Sequence, residues 1–503
     1  MTGLAATGEF VSTTDPTSQA LVAGMVIGTF VLLALERVHR VLVVLGAVST
    51  IFMVSYFTRW KLISFEGAGR ALDLNVLLLL ASMMALVGVL KTTGVFPWAV
   101  QRLLERAGGR PGAIQRLIIW FTGILSSVAD NVTTVIFVTP MATDMARRTG
   151  VPAAAYLLPM IMAANIGGTA TLIGDPPNIL IGSATGLSFM AFLANLAIPV
   201  LSMMVILEWM ARRTFRSNLL MAEAPTAPTA RATIVDPMLL RWGVGISLLV
   251  FIGFVTHGAT GMPVAVPALI GAAALLIVQD SLYLRTHRPT ASERAHGLLD
   301  VLDREIEWPT LAFFVFLFIL VGAAVQTGLM DTVASALSQA IAQGQQRFGL
   351  SAPATLMLAA LVICWASGIL SSLIDNIPFV AVAIPIVARL SAELPGSGDT
   401  LWWALALGAC LGGNGTAIGA SANVTVVGIA ERAGVPIRFA EFSRFGVPVA
   451  VMTLAISSLF LVGWVYLGEG PVRWLGLLLF GALFAAGRLA SRRSATSTAT
   501  PRS

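Results

Sequence analysis

The sequence predicts an all-α polytopic membrane protein. It has about eleven transmembrane helices in two inverted repeats, each repeat carrying a re-entrant hairpin and a broken helix. Three observations predict this fold class. Apolar runs of bilayer length recur along the chain, two unusual polar motifs superpose on themselves at a fixed shift, and Lys and Arg crowd into alternate loops.

The apolar runs come first. The 503 residues are 57% hydrophobic and only 11% charged, whereas a soluble domain carries about a quarter charged residues. Runs of about 17–25 apolar residues match the helix length that spans a bilayer. Strands of a membrane barrel alternate apolar and polar residues, and these runs do not. Crossings are expected near 20–35, 41–57, 74–94, 153–181, 190–210, 242–257, 263–279, 308–328, 401–428, 446–467 and 474–490.

Charge sets the orientation. With the N-terminus outside and the C-terminus cytoplasmic, the inside segments hold 25 of the 31 Lys and Arg residues. This is the asymmetry of a multi-pass protein of the cell inner (plasma) membrane. Arg59, Lys61 and Arg70 form the one outside loop against it. The excess of basic residues is spent on topology, and no compact basic module suggests nucleic acid. The N-terminal tail, 1–19, lacks the basic start of a signal peptide. Cys364 and Cys410 both lie in apolar runs, so neither a disulfide framework nor a Cys-based metal site is expected. The four His residues, His39, His257, His287 and His296, form no ligand pattern, and no Gly-x-x-x-x-Gly-Lys-Ser/Thr phosphate loop is present.

The repeat is the strongest signal. Residues 120–131 read WFTGILSSVADN and residues 365–376 read WASGILSSLIDN, with eight of twelve positions identical at a shift of 245. The same shift aligns Pro140 with Pro385, Gly167-Gly168 with Gly412-Gly413, Thr171 with Thr416, Gly174 with Gly419, and Asn178 with Asn423. Upstream, Val87-Gly88 and Thr93-Gly94 match Val321-Gly322 and Thr327-Gly328 at a shift of 234. Five crossings in the first half invert the second half in the membrane, the architecture of secondary transporters. The chain then divides into an extracytoplasmic tail (1–19), a first repeat (20–210), a cytoplasmic linker (211–241), a second repeat (242–467), an extra C-terminal helix (468–490) and a disordered tail (491–503). The linker's Ala224-Pro-Thr-Ala-Pro-Thr has a flexible composition. Residues 280–307 form a second polar cytoplasmic link. Phe96–Ala107 reads as an interfacial helix, with Phe96, Val100, Leu103, Leu104 and Ala107 on one face and Arg102, Glu105 and Arg106 opposite. Val333–Ile341 takes its place in the second half, and both are expected to clamp their repeat laterally.

Two motif types carry the chemistry. The stretches 117–145 and 362–390 each hold Ser-Ser and Asp-Asn mid-run: Ser126-Ser127 with Asp130, Asn131, Thr133 and Thr134, and Ser371-Ser372 with Asp375 and Asn376. A carboxylate inside the bilayer is costly unless paired or hydrated, and here it occurs twice at equivalent positions. The clusters suit hairpin tips that stop at mid-membrane, offering oxygen ligands for Na⁺ or sites for H⁺. The alternative is that the hydroxyls and amides merely bond helices together. The second type is Asn165-Ile-Gly-Gly-Thr169-Ala-Thr171-Leu-Ile-Gly174-Asp175-Pro-Pro-Asn178, matched by Gly412-Gly-Asn414-Gly-Thr416-Ala-Ile-Gly419-Ala-Ser-Ala-Asn423. Gly and Pro interrupt helices. Non-helical backbone at membrane depth is tolerated where it lines a cavity or is buried in protein. A broken helix presents free N–H groups at one half-helix start and free C=O groups at the other half's end. Asp175 aligns with Ala420, so it is a proton carrier or cation ligand of the first half, or else the cap of the half-helix starting at Pro176.

These residues resemble the arsenite permease / NhaD-type sodium–proton antiporter / citrate-transporter-like superfamily, and within it the P-permease branch that includes the melanosomal P protein. The likeness rests on Ala129-Asp-Asn-Val-Thr-Thr134, Asn165-Ile-Gly-Gly-Thr with Gly174-Asp-Pro-Pro-Asn178, Ile374-Asp-Asn-Ile-Pro378, and Gly412-Gly-Asn-Gly-Thr with Ala422-Asn423, and spans roughly residues 20 to 467. The resemblance implies about eleven spans, two hairpins, two broken helices and a homodimer. Dicarboxylate carriers of this group carry Ser-Asn-Thr at both tips. This chain has Asp130-Asn131-Val132-Thr133 and Asp375-Asn376-Ile377-Pro378, and a tip carboxylate repels a dianion unless it is protonated or matched by a cation.

The expected mechanism is alternating access around two half-sites. One comprises Ser127, Asp130, Asn131, Thr133, Thr169, Thr171, Gly174, Asp175 and Asn178, and the other Ser372, Asp375, Asn376, Asn414, Thr416, Gly419 and Asn423. Na⁺ is expected at Ser127, Asp130 and Asn131 and at Ser372, Asp375 and Asn376, with H⁺ or Na⁺ as coupling ion and no other cofactor. The first reading is a permease for a small inorganic or organic anion. A Na⁺/H⁺ antiporter follows, then an arsenite permease with a separate ATPase subunit. An ion channel sharing the fold is the alternative class. No residue stands out for catalysis, so the chain is read as no enzyme. No Lys or Arg falls inside the four motifs.

Overall fold

The computed structural model describes residues 12–35, 37–221, 233–287 and 302–497. Hydrophobic length sets the long helices, and local caps end them. The first half runs α1 (Pro16–Leu35), α2 (Arg40–Phe57), α3 (Phe65–Ala71), α4 (Leu74–Thr92), α5 (Val95–Arg106), α6 (Pro111–Ser126), α7 (Asn131–Thr149), α8 (Ala154–Gly168), α9 (Pro176–Thr185), α10 (Phe189–Thr214) and α11 (Arg216–Leu220). Then follow α12 (Pro237–Thr260), α13 (Ala265–His287), α14 (Trp308–Gln326), α15 (Leu329–Phe348), α16 (Ala352–Leu373), α17 (Asn376–Glu393), α18 (Thr400–Gly412), α19 (Ser421–Arg432), α20 (Phe439–Leu467) and α21 (Glu469–Ser497). Ten helices among the described residues are long and apolar enough to cross a membrane.

Capping follows the sequence. Asp73 accepts from the Val76 N–H and Ser188 from the Ala191 N–H at the starts of α4 and α10. Gly150 and Gly186 take left-handed conformations that close α7 and α9, where a side chain would be strained. The helices depart from the expected segment bounds in three places. Two short helices, α3 and α11, stand in segments read as loops, since Ser64 caps α3 and each packs on a neighbouring span. Helix α10 runs on to Thr214 with α11 after it, inside the stretch expected as linker, and the last helix continues through Ser497. The Ala224-Pro-Thr-Ala-Pro-Thr segment, residues 288–301 and residues 498–503 lie outside the described residues.

Burial is sorted radially. Every residue of α8 is buried, as is every residue of α18 from Leu401 onward. Such all-round apolar helices belong in a protein interior, and α8 and α18 contact each other at its centre. By contrast α1, α12, α13 and α21 expose Ile27, Leu249, Ile270 and Leu478 on their outer faces, the surface a lipid ring covers. The lateral arms behave as expected. Each of α5 and α15 packs on the second arm of its own half's hairpin, α7 and α17 respectively. Val100 and Ala107 are buried and Arg102–Glu105 is an exposed ion pair at 3.4 Å. Phe96 stacks on Phe137 with ring centroids 4.4 Å apart.

The halves interlock by exchange. The second segment of the first broken helix, α9, packs on α17 of the second hairpin, and α19 packs on α7 of the first hairpin.

Candidate functional site

The two hairpins have short tips. Residues 127–130 link α6 to α7, and Ile374 and Asp375 link α16 to α17. Both tip aspartates act as N-caps, Asp130 accepting from the Thr133 N–H at 2.9 Å and Asp375 from the Ile377 N–H at 3.1 Å. Each cap uses one carboxylate oxygen, leaving the other for a partner.

The hairpins hold the broken helices by the same bonds in both halves. Ser126 donates to the Ala164 carbonyl at 2.8 Å, and Ser371 to the Ala409 carbonyl at 2.6 Å. Thr171 donates to the Ser127 carbonyl, and Thr416 to the Ser372 carbonyl, both at 2.5 Å. Across each break an asparagine gathers the freed carbonyls. The Asn178 amide donates to Thr169 and Thr171, and the Asn423 amide to Gly413 and Thr416, at 2.8–3.1 Å. These bonds satisfy backbone that the glycines release from the helix. Close approach explains the paired glycines. A Cβ on Gly167 would enter the backbone of Gly123, and one on Gly412 the backbone of Gly368.

A chain of amides then crosses between the halves. Ser126 shares its single hydroxyl proton between the Ala164 carbonyl and Asn131 Oδ1, and Asn131 Nδ2 donates to Asn165 Oδ1 at 3.4 Å. Asn165 Nδ2 donates to Asn414 Oδ1 at 3.0 Å and to Asn423 Oδ1 at 2.9 Å. At the far end Asn414 Nδ2 is buried with no partner. In return, Cys410 of the second half donates its thiol to Asn178 Oδ1 of the first at 3.5 Å.

Asp175 is placed between the tips. Its side chain makes no cap bond on α9, which removes the capping reading. Instead Asn376 of the second hairpin donates to Asp175 Oδ2 at 3.5 Å, and Asn131 of the first hairpin and Cys410 also face the carboxyl group. The residue is 2% exposed and forms no ion pair among the described residues. The sequence alignment assigned Asp175 to the first half-site, but the fold hands it to both.

The structure brings Asn131, Thr169, Thr171, Gly174, Asp175 and Asn178 together with Asp375, Asn376, Asn414, Thr416, Gly419 and Asn423, while Asp130 pairs with Thr133 at its own tip and lies beside Glu307. Ser127 contributes its carbonyl, while its hydroxyl turns back to Ile124 at 2.7 Å. Ser372 bonds Gly368 and Gly412 at 2.8 and 2.7 Å. The buried hydroxyls are those of Ser126 and Ser371, adjacent positions in the same Ser-Ser pairs. Sequence reasoning also passed over Asn165 as a ligand, although it opens the first glycine motif. Ser421 and Arg40 were missed as well. Ser421 donates to Asp375 Oδ2 at 2.6 Å, and its position, one after the glycine break, was the available signal.

The chain has known relatives. The sequence profile of the citrate transporters matches residues 30–408. The chain belongs to the citrate transporter family. An uncharacterized transporter of Mycobacterium bovis is 36% identical over 441 residues, covering 86% of this chain and 96% of the relative. The P protein of Mus musculus is 30% identical over 542 residues, covering 91% of this chain and 62% of the P protein. The YdaH transporter of Alcanivorax borkumensis has a similar fold, with a TM-score of 0.56 at 17% identity, covering 91% of this chain and all of that one. This member of the citrate transporter family is a multi-pass membrane transporter.

Proposed function

We propose that the chain is a secondary active permease that moves a small inorganic or organic anion in company with H⁺ or Na⁺, by alternating access between two inverted half-sites. One observation carries the reading: Asp175 lies between the asparagines of both hairpin tips, buried and without a basic partner among the described residues. A carboxylate so placed is stable only with a proton or cation bound. The free Asn414 Nδ2 offers a donor to an oxygen of the substrate. The positive-inside charge pattern supports a cytoplasmic C-terminus in the cell inner membrane.

A second reading, Na⁺/H⁺ antiport, is favoured by the same carboxylates. Asp175 lies beside Asp375, Asp130 caps the other hairpin tip, and no Lys or Arg lies within the four motifs. Purified protein in proteoliposomes tests both. Citrate and a panel of small anions are offered under imposed Na⁺ and pH gradients. Saturable, gradient-driven anion uptake with counterflow supports the permease. Proton release on adding Na⁺, with no anion required, replaces it with the antiporter. Single-channel currents exclude a carrier of either kind.

A further inference from the structure

The four motifs lack a cation, but the fold supplies one from outside them. Arg40, the first residue of α2, donates from Nη1 to Ser421 Oγ at 2.9 Å and from Nη2 to Thr310 Oγ1 at 2.8 Å. Its guanidinium carbon lies 5.6 Å from the centre of the Phe313 ring. Each hydroxyl in turn donates a hydrogen bond to a carboxylate. Ser421 donates to Asp375 Oδ2 at 2.6 Å, and Thr310 to Glu307 Oε2 at 2.9 Å. Arg40 forms no direct ion pair among the described residues, so its charge is shared between two acids one hydroxyl away.

The relation has no counterpart in the first half. At the shift of 245, Ser421 aligns with Pro176, which has no hydroxyl, and Ala420 aligns with Asp175. The second half-site therefore has a tethered cation that the first lacks, while Asp175, which also has no counterpart at the repeat shift, lies between both tips. The charged groups around Asp375 are Arg40 through Ser421, Asp175 directly and through Asn376, and Glu307 through Thr310 and Arg40, with Asp130 of the first tip beside Glu307.

We propose that Arg40 is the resident counter-cation of the second half-site: acting on Asp375 through the Ser421 hydroxyl, it fills the electrostatic role that the coupling cation takes over, and so sets how tightly that cation is held. This rests on the cation-coupled reading above. Arg40 is a positioning residue here, because it touches Asp375 only through Ser421. Removing it leaves the acid without its built-in competitor, and an external cation then binds more tightly. A nearby unit charge is worth about one to three powers of ten in such an equilibrium, and the intervening hydroxyl places the effect at the lower end.

The test uses full-length protein in detergent, with thermal unfolding followed against Na⁺ at constant ionic strength, choline replacing Na⁺, at pH 8 and pH 6. Arg40→Gln is expected to lower the Na⁺ concentration for half-maximal stabilisation about tenfold, Arg40→Lys to stay near wild type, and Ser421→Ala to follow Arg40→Gln. In an Asp375→Asn background, Arg40→Gln should change nothing further. Equal shifts in both backgrounds, or Arg40→Lys behaving as Arg40→Gln, overturn the proposal. If Arg40→Gln does not fold, Ser421→Ala carries the same comparison. A wild type that responds to neither Na⁺ nor protons defeats the cation-coupled reading. The Arg40–Asp375 link is then judged by the unfolding midpoints alone, where additive effects of the two substitutions reject it.

Discussion

Asn165 donates to Asn423 at 2.9 Å across 258 positions of chain, while Cys410, which aligns with Asn165 at the repeat shift, donates to Asn178, which aligns with Asn423. The two contacts are one contact repeated with the halves exchanged. Their chemistry differs, because an amide donates to two acceptors and a thiol weakly to one. Asn165→Ala is therefore expected to destabilise the protein by about 1–2 kcal/mol, and Cys410→Ala by less. Thermal unfolding of the purified variants decides it, and a larger loss for Cys410→Ala would reverse the assignment.

The tip aspartates can lose their charge without losing their caps, since an asparagine oxygen also accepts from the N–H groups of Thr133 and Ile377. Asp130→Asn and Asp375→Asn should each abolish coupled transport and still elute as folded, monodisperse protein. Retained pH-driven flux in both variants would remove these residues from the mechanism.

Asp175→Asn tests the central carboxylate. The contacts with Asn376 and Asn131 tolerate an amide, but the site loses the charge proposed to hold a cation. Ion-coupled flux in proteoliposomes should fall at least about a hundredfold, the cost of losing a group worth some 3 kcal/mol. Full coupling in this variant would move the ion site elsewhere.

The paired glycines should be intolerant in the same way. Gly167→Ala and Gly412→Ala each push a methyl group into a neighbouring helix backbone, at a cost of about 1–3 kcal/mol. Gly245→Ala meets nothing within 4 Å and should be neutral or slightly stabilising. Unfolding midpoints of the three variants separate close approach from a general cost of replacing glycine.

His257, unassigned by the sequence, ties two helices together. Its Nε2 accepts from the Phe189 N–H at 3.0 Å and its Nδ1 faces the Met262 carbonyl at 3.2 Å. His257→Leu leaves a buried N–H unpaired, at about 1–3 kcal/mol. Transport per folded molecule should be unchanged, measured as flux normalised to monodisperse protein.

Much of this is legible in the amino-acid sequence. The spans are local features of hydrophobic length, and the helix breaks sit where Gly and Pro make an unbroken helix costly. The pairing of hairpin with break followed from the common shift, and Thr171 with Ser127 repeats as Thr416 with Ser372. What the pattern did not reveal was which serine faces inward. Ser126 and Ser127 are neighbours on a helix end, and the choice depends on how α6 rotates against α8.

The sequence by itself determined the membrane class, the duplicated motifs and the residue types at the site, because each depends on neighbours close in the chain. Tertiary structure decided the partners. Asp175 serves both hairpins only because α9 packs on α17, and Arg40 reaches Ser421 only because α2 lies beside α14 and the start of α19. Contacts made hundreds of residues apart leave no local period or motif, so packing alone assigns them.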